Sequence, residues 1–471
     1  DTGGMGPDIS QIVLLAAFLL AGFLLRSYLI LRFGWAGKDT YYHLTIARSI
    51  QVSGRLPDVV DRFAEPEVYD YPPLLHVILS RFPEAWHQRL QFLGPLSDTL
   101  AALVVYLFCL DVAGGNVALA AVAIYSFTPF NLETSFGLGP RPVANLLMVV
   151  CLVSAFYAIT APSLLPMAVA LLSAALVLLT QRLAVQSLAA VLVAEAVVFS
   201  DLLPLVILVG AFPLALMLSR GLYLRVLRGH IAFIMVMGGR LLDPEKRKEQ
   251  SSPLLDVKAI AFNLPELLFV PLLVLIPLPW TPLLAYAIAW MAGLLVLSAA
   301  WVFGEGYRHM ANSVAAVALD GGLWGANTGE WAIVYAVVLL SAALSLFKMF
   351  RLARRPDLGV TISGDALAAY RFIREHGGRD DVVLSIPTDL SYHAAYFTGM
   401  VTAHSSGGFA RGLAFNCGLN RKVREGKVGE VVDDLRVRWI VSLHDALDLP
   451  GAVVRTFGPV RLYEVPGRAS R

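Results

Sequence analysis

Charged residues are scarce in this chain. They make up 15% of its 471 residues, whereas 57% are hydrophobic. Soluble proteins average about 25% charged and roughly 45–50% apolar residues. The mean hydropathy of +0.67 is that of an integral membrane protein. This shortage of charge excludes a disordered protein and argues against an ordinary soluble enzyme.

A strong charge of one sign and a cysteine framework are also missing. The net charge of +2 is too small to predict nucleic-acid binding, which needs a concentrated basic surface. Three cysteines cannot form a disulfide scaffold. Cys109 and Cys151 lie in apolar runs typical of small core residues, whereas Cys417 lies in a polar region. No internal repeat is evident.

The charge that is present is unevenly distributed. Residues 351–471 carry 17 Lys/Arg and 13 Asp/Glu, about a quarter of that segment, against about one residue in eight before it. This shift predicts a domain boundary near Arg351, with a membrane domain over 1–350 and a soluble domain over 351–471.

Long apolar runs fill the first part and predict an all-α polytopic membrane domain of about eleven helices. The runs are 9–31, 90–110, 116–130, 142–160, 164–180, 183–200, 202–219, 266–281, 282–303, 309–326 and 331–350. The tail has the pattern of a small α/β domain. Its predicted elements are helices over 364–376 and 431–435 and strands at DVVLSIP, VRWIVSL and VRLYEVP, with a surface turn at 389–393.

Two polar connections between the apolar runs are long. The 34–89 loop is rich in aromatic residues, prolines and paired charges, which favours a functional loop. The basic 220–258 connection includes a segment suited to a helix lying in the membrane interface. The positive-inside rule leaves two topologies open. Arg351, Arg354 and Arg355 favour a cytoplasmic tail. The basic 220–258 connection also has to be assigned to one face of the membrane, so the rule does not decide between the two topologies.

Asp39 opens the most informative part of the first loop. It follows the first apolar run, where it could cap a helix over 41–50 or hold a cation or an acceptor group. Tyr41 and Tyr42 suit an interfacial aromatic belt, and His43 would share a helix face with Asp39. Further along, acidic residues between 58 and 70 could supply oxygen ligands to a divalent cation or form a solvated loop.

Two later turns also carry ionisable groups between apolar runs. Glu133 and Arg141 flank a glycine-rich break, as boundary markers or site residues. The turn at 304–309 contains Glu305, Arg308 and His309. Charges at membrane depth predict function, and an arginine fork pairs well with phosphate, although a snorkelling arginine is the alternative.

At these residues the sequence resembles the GT-C superfamily of polytopic glycosyltransferases. The stretch 39–43 is similar to the first-loop motif of oligosaccharyltransferase catalytic subunits and their archaeal and bacterial relatives, and 54–73 to its continuation. The turn at 304–309 is similar to their late arginine-bearing loop. The Trp-Trp-Asp-Tyr-Gly motif that reads the acceptor is missing, and the second acidic motif is reduced to Glu133.

The resemblance implies a donor sugar on a polyprenyl phosphate or diphosphate, lying in the membrane lipid, and inverting transfer to an unspecified acceptor. It implies a site on the extracytoplasmic face, beneath the tail domain. Asp39 would act as general base or, with Glu133, hold a divalent cation such as Mg or Mn, and Arg308 would stabilise the departing phosphate. The full set of implied site residues comprises catalytic Asp39, His43 and Glu133 and substrate-binding Tyr41, Tyr42, Arg141, Glu305, Arg308 and His309.

Two other classes of protein fit part of the pattern. A lipid or sugar transporter or flippase would have as many helices, but it should show internal repeats and broken helices at the bilayer midplane. A non-catalytic membrane assembly subunit would depend on no single acidic residue. Consumption of a polyprenyl-phosphate sugar separates these classes from an enzyme.

Overall fold

The structure is a computed structural model. It describes residues 8–37, 39–135, 137–242, 258, 260–275, 281–299, 307–354, 362–405, 410–443 and 446–466. The chain divides into two compact units. One comprises Asp1–Tyr28, Phe92–Phe136 and Pro140–Phe350, and the other comprises Leu29–Gln91, Gly137–Gly139 and Arg351–Arg471.

Helices make up the described part of the first unit, which we call the membrane unit. They are α1 (Ile9–Phe33, which continues into the other unit), α5 (Leu93–Ala113), α6 (Gly115–Phe127), α7 (Pro129–Ser135), α8 (Pro140–Thr160), α9 (Leu164–Leu178), α10 (Arg182–Phe199), α11 (Leu203–Leu218), α12 (Tyr223–Leu242), α13 (Phe269–Leu275), α14 (Pro282–Ala299), α15 (Tyr307–Met310), α16 (Val314–Thr328) and α17 (Trp331–Ala353).

Glycines separate two consecutive pairs of these helices. Gly114 has φ +89°, so the chain turns between α5 and α6 without the steric cost that a side chain would bring. Gly329, at φ +76°, ends α16 before α17, and its N–H donates to the carbonyl of Gly325.

Six of the described helices are long and apolar enough to cross a membrane: α1, α5, α8, α10, α14 and α17. Shorter apolar helices are α6, α9 and α11. The chain is therefore a multi-pass membrane protein, but the predicted count of about eleven spanning helices is not confirmed. Helix α12 covers the segment for which an interfacial helix was predicted.

A buried ion pair links α1 to α5 in the membrane unit. The Nε atom of Arg26 lies 3.4 Å from Oδ2 of Asp98, and both side chains are almost fully buried. The same guanidinium donates to the backbone carbonyls of Ser126, at 2.8 Å, and Tyr125, at 3.0 Å. This arrangement compensates the charge of the arginine on several sides, as burial in an apolar environment requires.

The second unit, which we call the mixed unit, contains a six-stranded sheet. Its helices are α2 (Thr40–Ser53), α3 (Leu74–Leu79), α4 (His87–Leu90), α18 (Gly364–His376), α19 (Ser391–Thr398), α20 (Ala410–Arg424) and α21 (Val428–Leu435). Its strands are β1 (Val59–Val60), β2 (Phe63–Glu65), β3 (Glu67–Val68), β4 (Val382–Ile386), β5 (Val401–Ser405), β6 (Val437–Ser442), β7 (Val453–Phe457) and β8 (Val460–Glu464).

The strand order is β2-β5-β4-β6-β8-β7. The first four strands are parallel, and β8 and β7 extend the sheet antiparallel. Successive side chains of a strand point to opposite faces. Val383 accordingly packs in the core that includes Tyr370 and Trp439, beneath α18 and α19, and Leu384 in the core formed with α20 and α21.

Strand β2 comes from the first loop and pairs with β5 of the tail. The composition shift had assigned residues 34–89 to the membrane part, but these residues belong to the mixed unit together with 351–471. A backbone in β conformation with free hydrogen-bonding groups pairs with any suitable sheet edge, whatever the distance along the chain.

The tail elements differ in part from those predicted. Helix 364–376 is found at those bounds and begins with the Ser363 hydroxyl accepting from the N–H of Ala366. The predicted surface turn at 389–393 is wrong. Residues 388–390 form a 3₁₀ turn, α19 follows at once, and His393 is fully buried. Strands β5 and β7 and helix α20 were not predicted.

Candidate active site

Asp39 lies at the first turn of α2 and is exposed. It occupies the N-cap position, but its backbone is in the right-handed helical region and its side chain makes no capping hydrogen bond. The capping interpretation therefore does not describe this carboxylate. A negatively charged group at the start of a helix is favoured by the helix dipole and stays available to a ligand.

The turn that presents Asp39 is held by a close crossing of two chain segments. The Thr40 hydroxyl donates to the carbonyl of Ala36, at 2.7 Å, and accepts from the N–H of Leu138, at 2.8 Å. Gly37 and Gly137 pack backbone against backbone, and a Cβ on either would lie 2.6 Å from the Cα of the other. Only glycine fits at such a crossing, so the glycine-rich break in the sequence has a steric purpose here.

His43, one helical turn beyond Asp39, belongs to a hydrogen-bonded series of rings. Its Nδ1 lies 2.8 Å from Nε2 of His76 on α3, and Nδ1 of His76 lies 2.6 Å from the hydroxyl of Tyr69. All three side chains are buried. The backbone N–H of His43 also donates to the carbonyl of Asp39, so this series is joined to the turn that carries the carboxylate.

Burial decides the charge of these histidines. It lowers the pKa of His43 to about 4, against the opposing effect of the Asp39 carboxylate. Burial lowers the pKa of His76 as well, and His43 adds to that shift. Both rings are therefore neutral near pH 7, and in a neutral pair one nitrogen donates its hydrogen to the other.

Tyr41 and Tyr42 pack within the mixed unit. The ring of Tyr41 lies over that of His393, with centroids 3.9 Å apart, and Tyr42 contacts Tyr392 and Phe63 at 5.6 and 6.2 Å. Both tyrosines are buried. Their ring contacts hold α2 against α19. Contact of these tyrosines with a substrate remains a prediction.

Three ring residues at this place were not among the predicted site residues. His76 and Tyr69 lie in the first loop and His393 in the tail. The chain segment from Tyr69 to His76 includes Tyr71-Pro72-Pro73, which fixes an extended approach to α3, and this is the one local signal that could have drawn attention to His76. The Tyr41–His393 contact has no local signal, since the two residues are far apart in sequence.

The other predicted site residues belong to the membrane unit. Glu133 is in α7, Arg141 is half-buried at the start of α8, and Arg308 is exposed on α15. Glu305 lies outside the described residues. His309 is fully buried, with its Nδ1 3.1 Å from the hydroxyl of Ser187, which also accepts from Asn312 at 2.8 Å. Because these contacts hold the His309 ring inside the unit, Arg308 is the exposed cation of this turn.

A second pair of buried polar groups was not predicted. Nε2 of Gln186 on α10 lies 2.9 Å from Nε2 of His230 on α12. Burial lowers the pKa of His230 to about 4, and the positive charge of Arg182 contributes to that shift. Helix α12 is thereby tied to α10 by a neutral imidazole rather than by a charge.

The residues predicted to bind a cation do not form a ligand set in the described part of the chain. Within the described ranges no three His, Cys, Asp or Glu residues come together as a metal site would require. A hard divalent cation prefers oxygen ligands, and Asp39 offers one exposed carboxylate. No three of the first-loop acidic residues that the structure describes are gathered into such a group either.

The fold of this chain is similar to the folds of proteins with solved structures. No family model and no curated protein matches the sequence. Among solved structures, ArnT from Cupriavidus metallidurans bound to undecaprenyl phosphate is similar over 98% of this chain and 99% of its own, with a TM-score of 0.56 and 13% identity. The oligosaccharyltransferase AglB from Archaeoglobus fulgidus, in complex with an inhibitory peptide and a dolichol-phosphate, is similar over 92% of this chain and 69% of its own, with a TM-score of 0.55 and 12% identity.

A further structure of the Archaeoglobus fulgidus oligosaccharyltransferase, in complex with Zn and sulfate, has a TM-score of 0.53 and 14% identity, covering 91% of this chain and 67% of that one. Both neighbours are GT-C membrane glycosyltransferases. At such low identity, the similarity shows the fold. The chain has the GT-C fold, and the resemblance inferred from the motifs is confirmed at that level.

Proposed function

We propose that the protein is a glycosyltransferase that moves a sugar from a polyprenyl-phosphate or polyprenyl-diphosphate donor to an acceptor at the extracytoplasmic face of the membrane. The observation that carries the proposal is the exposed carboxylate of Asp39. It makes no capping hydrogen bond and follows directly on a turn held by the Thr40 hydroxyl, in a chain with the GT-C fold. Proteins with that fold have been solved with dolichol-phosphate and with undecaprenyl phosphate.

In this proposal Asp39 is the general base. It accepts the proton from the acceptor's nucleophilic atom while that atom attacks the anomeric carbon of the donor sugar. The bond from the anomeric carbon to the phosphate oxygen breaks in the same step, so the configuration inverts. The polyprenyl phosphate departs with the electron pair of that bond, and Arg308 stabilises its charge. His43, Glu133, Arg141 and His309 remain predicted contributors.

A divalent cation is the other role predicted for Asp39 and Glu133. One neighbouring structure holds Zn, which shows that a protein of this fold can carry a divalent ion. Within the described ranges no group of three potential ligands includes Asp39, and the cation role of Asp39 and Glu133 stays a prediction.

The direct test is consumption of a radiolabelled polyprenyl-phosphate sugar by the purified protein in lipid nanodiscs. An enzyme releases or transfers the labelled sugar, and the product lipid accumulates as free polyprenyl phosphate. A flippase would move the labelled lipid between leaflets of a vesicle without consuming it. An assembly subunit would neither consume nor move the labelled lipid. Movement without consumption, or the absence of both, would contradict the proposed function.

We expect Arg308→Lys to lower turnover more than it weakens donor binding. A guanidinium pairs with phosphate through two parallel hydrogen bonds, and an ammonium cannot reproduce that geometry. The charge on the phosphate is greatest once its bond to the sugar has broken, so kcat should fall more than KM rises. Steady-state kinetics of the purified variant measure both constants.

The matched control is Arg351→Lys, which changes another helix-end arginine, in the last turn of α17. It should leave both constants unchanged. Full activity in Arg308→Lys would instead support a snorkelling arginine, for which any cation suffices. The donor phosphate would then have to be bound elsewhere.

We expect the tail to be extracytoplasmic, and its cysteine offers a test without a new substitution. Cys417 is exposed on α20, whereas Cys109 and Cys151 are buried and so protected from reagents. A membrane-impermeant maleimide should label intact cells that express the native chain, and Cys417→Ser should remove the signal. Labelling that requires lysis would place the tail in the cytoplasm and contradict the topology that the resemblance implies.

A further inference from the structure

A pocket of about 380 Å³ with several charged side chains in its lining lies within the mixed unit, and Asp39 does not line it. One wall is the second half of α2, from Thr45 to Ser53, and the others come from the strand region of the first loop and from the tail. It includes none of the predicted catalytic or substrate-binding residues, although Asp58 and Asp61 belong to the acidic residues considered as cation ligands. Its charged lining consists of Arg48, Arg55, Arg62, Arg379, Asp58 and Asp61.

Two of the four arginines are fixed as parts of the wall. Arg48 donates to the carbonyl of Tyr396, at 2.7 Å, and pairs with Glu84. Arg62 donates to the carbonyl of Gly399, at 2.9 Å. Both arginine side chains are about four-fifths buried. These bonds join the first loop to the tail, so the walls of the pocket are set before any ligand arrives.

The other two arginines are exposed and engage no acidic group among the described residues. Arg55 follows α2, and Arg379 belongs to the turn before β4. Neither guanidinium has a hydrogen-bond or ion-pair partner in the described ranges, so the five N–H donors of each can bind water or a ligand. One comes from the first loop and the other from the tail, and they line the same cavity.

The balance of charge favours an anion. Four arginines and two aspartates give the lining a formal charge of +2. Asp61 lies 3.9 Å from Arg62, so it offsets a wall arginine rather than Arg55 or Arg379. A concave surface focuses the field of its charges, and guanidinium forks match the planar oxygens of carboxylates and the oxygens of sulfate and phosphate.

We propose that this pocket binds an acidic group, a carboxylate or a sulfate or phosphate ester, that is carried by a saccharide. A volume of about 380 Å³ is at the lower end of the range for small-molecule sites, enough for roughly one sugar residue. As a site for the glycan or acceptor it rests on the proposed function. The binding of a sugar acid to Arg55 and Arg379 can be measured without any donor.

The experiment is saturation-transfer NMR on the full chain in nanodiscs, with glucuronate, glucose and inorganic sulfate as probes. Glucuronate should give a saturable signal that glucose lacks and that weakens as the salt concentration rises. The double variant Arg55→Gln/Arg379→Gln should weaken glucuronate binding at least about tenfold, since two charge-assisted contacts are lost. Neither residue belongs to the proposed catalytic machinery.

The control removes the same charge elsewhere on the mixed unit, at Arg371 and Arg421, which do not line the pocket. Arg371→Gln/Arg421→Gln should bind glucuronate as the native chain does. Equal signals from glucuronate and glucose, or equal losses in the two double variants, would overturn the proposal. Binding of sulfate alone would overturn the assignment to a saccharide.

These outcomes are separable from the fate of the proposed function. If the chain binds glucuronate but consumes no polyprenyl-phosphate sugar, the proposed pocket is supported and the proposed transferase activity is contradicted. If the chain consumes the donor but does not bind glucuronate, the proposed pocket is contradicted and the proposed transferase activity is supported.

Discussion

Asp39→Asn should abolish sugar transfer while the protein still folds and enters the membrane. Asparagine has nearly the size of aspartate but cannot accept a proton, and general-base catalysis contributes about 10²–10⁴-fold to rate. The Asp39 side chain makes no capping bond and is exposed, so little stability depends on it. We therefore expect turnover to fall at least about a hundredfold at unchanged expression and melting temperature.

The measurement is consumption of radiolabelled donor by purified protein, with melting followed in the same detergent. Asp380→Asn is the matched control, because Asp380 is an exposed aspartate of the tail turn before β4. It should retain full activity. Near-normal turnover in Asp39→Asn would remove this carboxylate from the site, and with it the observation that carries the proposed function.

Arg26→Met should have the largest effect on stability. The substitution leaves Asp98 buried without its cation and takes hydrogen-bond donors away from the carbonyls of Tyr125 and Ser126. Removing one partner of a buried pair costs about 3–5 kcal/mol, because the remaining charge is uncompensated. Thermal unfolding in detergent should show a large loss, and expression should fall with it.

The double variant Arg26→Met/Asp98→Asn distinguishes the ion pair from simple loss of packing. If the uncompensated carboxylate causes the instability, neutralising it should restore a substantial part of the lost stability, since a coupled pair gives non-additive changes. A single variant that loses less than about 1 kcal/mol would contradict the prediction. A double variant no better than the single one would assign the loss to the backbone carbonyls instead.

Much of the membrane part could be predicted from the sequence because lipid constrains it locally. A spanning helix satisfies its own backbone hydrogen bonds, so its apolar run alone predicts where it lies. The run at 331–350 is found as α17, Trp331–Ala353, and the run at 142–160 as α8, Pro140–Thr160. The number of spanning helices did not follow in the same way, since α6, α9 and α11 are apolar but short.

The candidate site was predictable only where its residues are close in sequence. Asp39 and His43 share one helical turn, and their spacing alone predicts that they lie near each other. His76 joins His43 from α3, and His393 reaches Tyr41 from α19. No periodicity links residues so far apart, and each of these contacts exists because separate elements pack together.

The sequence by itself determined that this is a multi-pass membrane protein with a polar tail and that Asp39 follows its first helix, because hydropathy and helix ends are local properties. The tertiary structure alone decided that the first loop belongs with the tail. Strand β2 has three residues, too few for a pattern, and it is stabilised by pairing with β5 from the other end of the chain. The same long-range pairing sets α2 against α19 and brings Arg55 and Arg379 to one pocket. Such contacts depend on which sheet edge and which helix face remain to be covered once the rest has folded, and no local stretch of sequence encodes that.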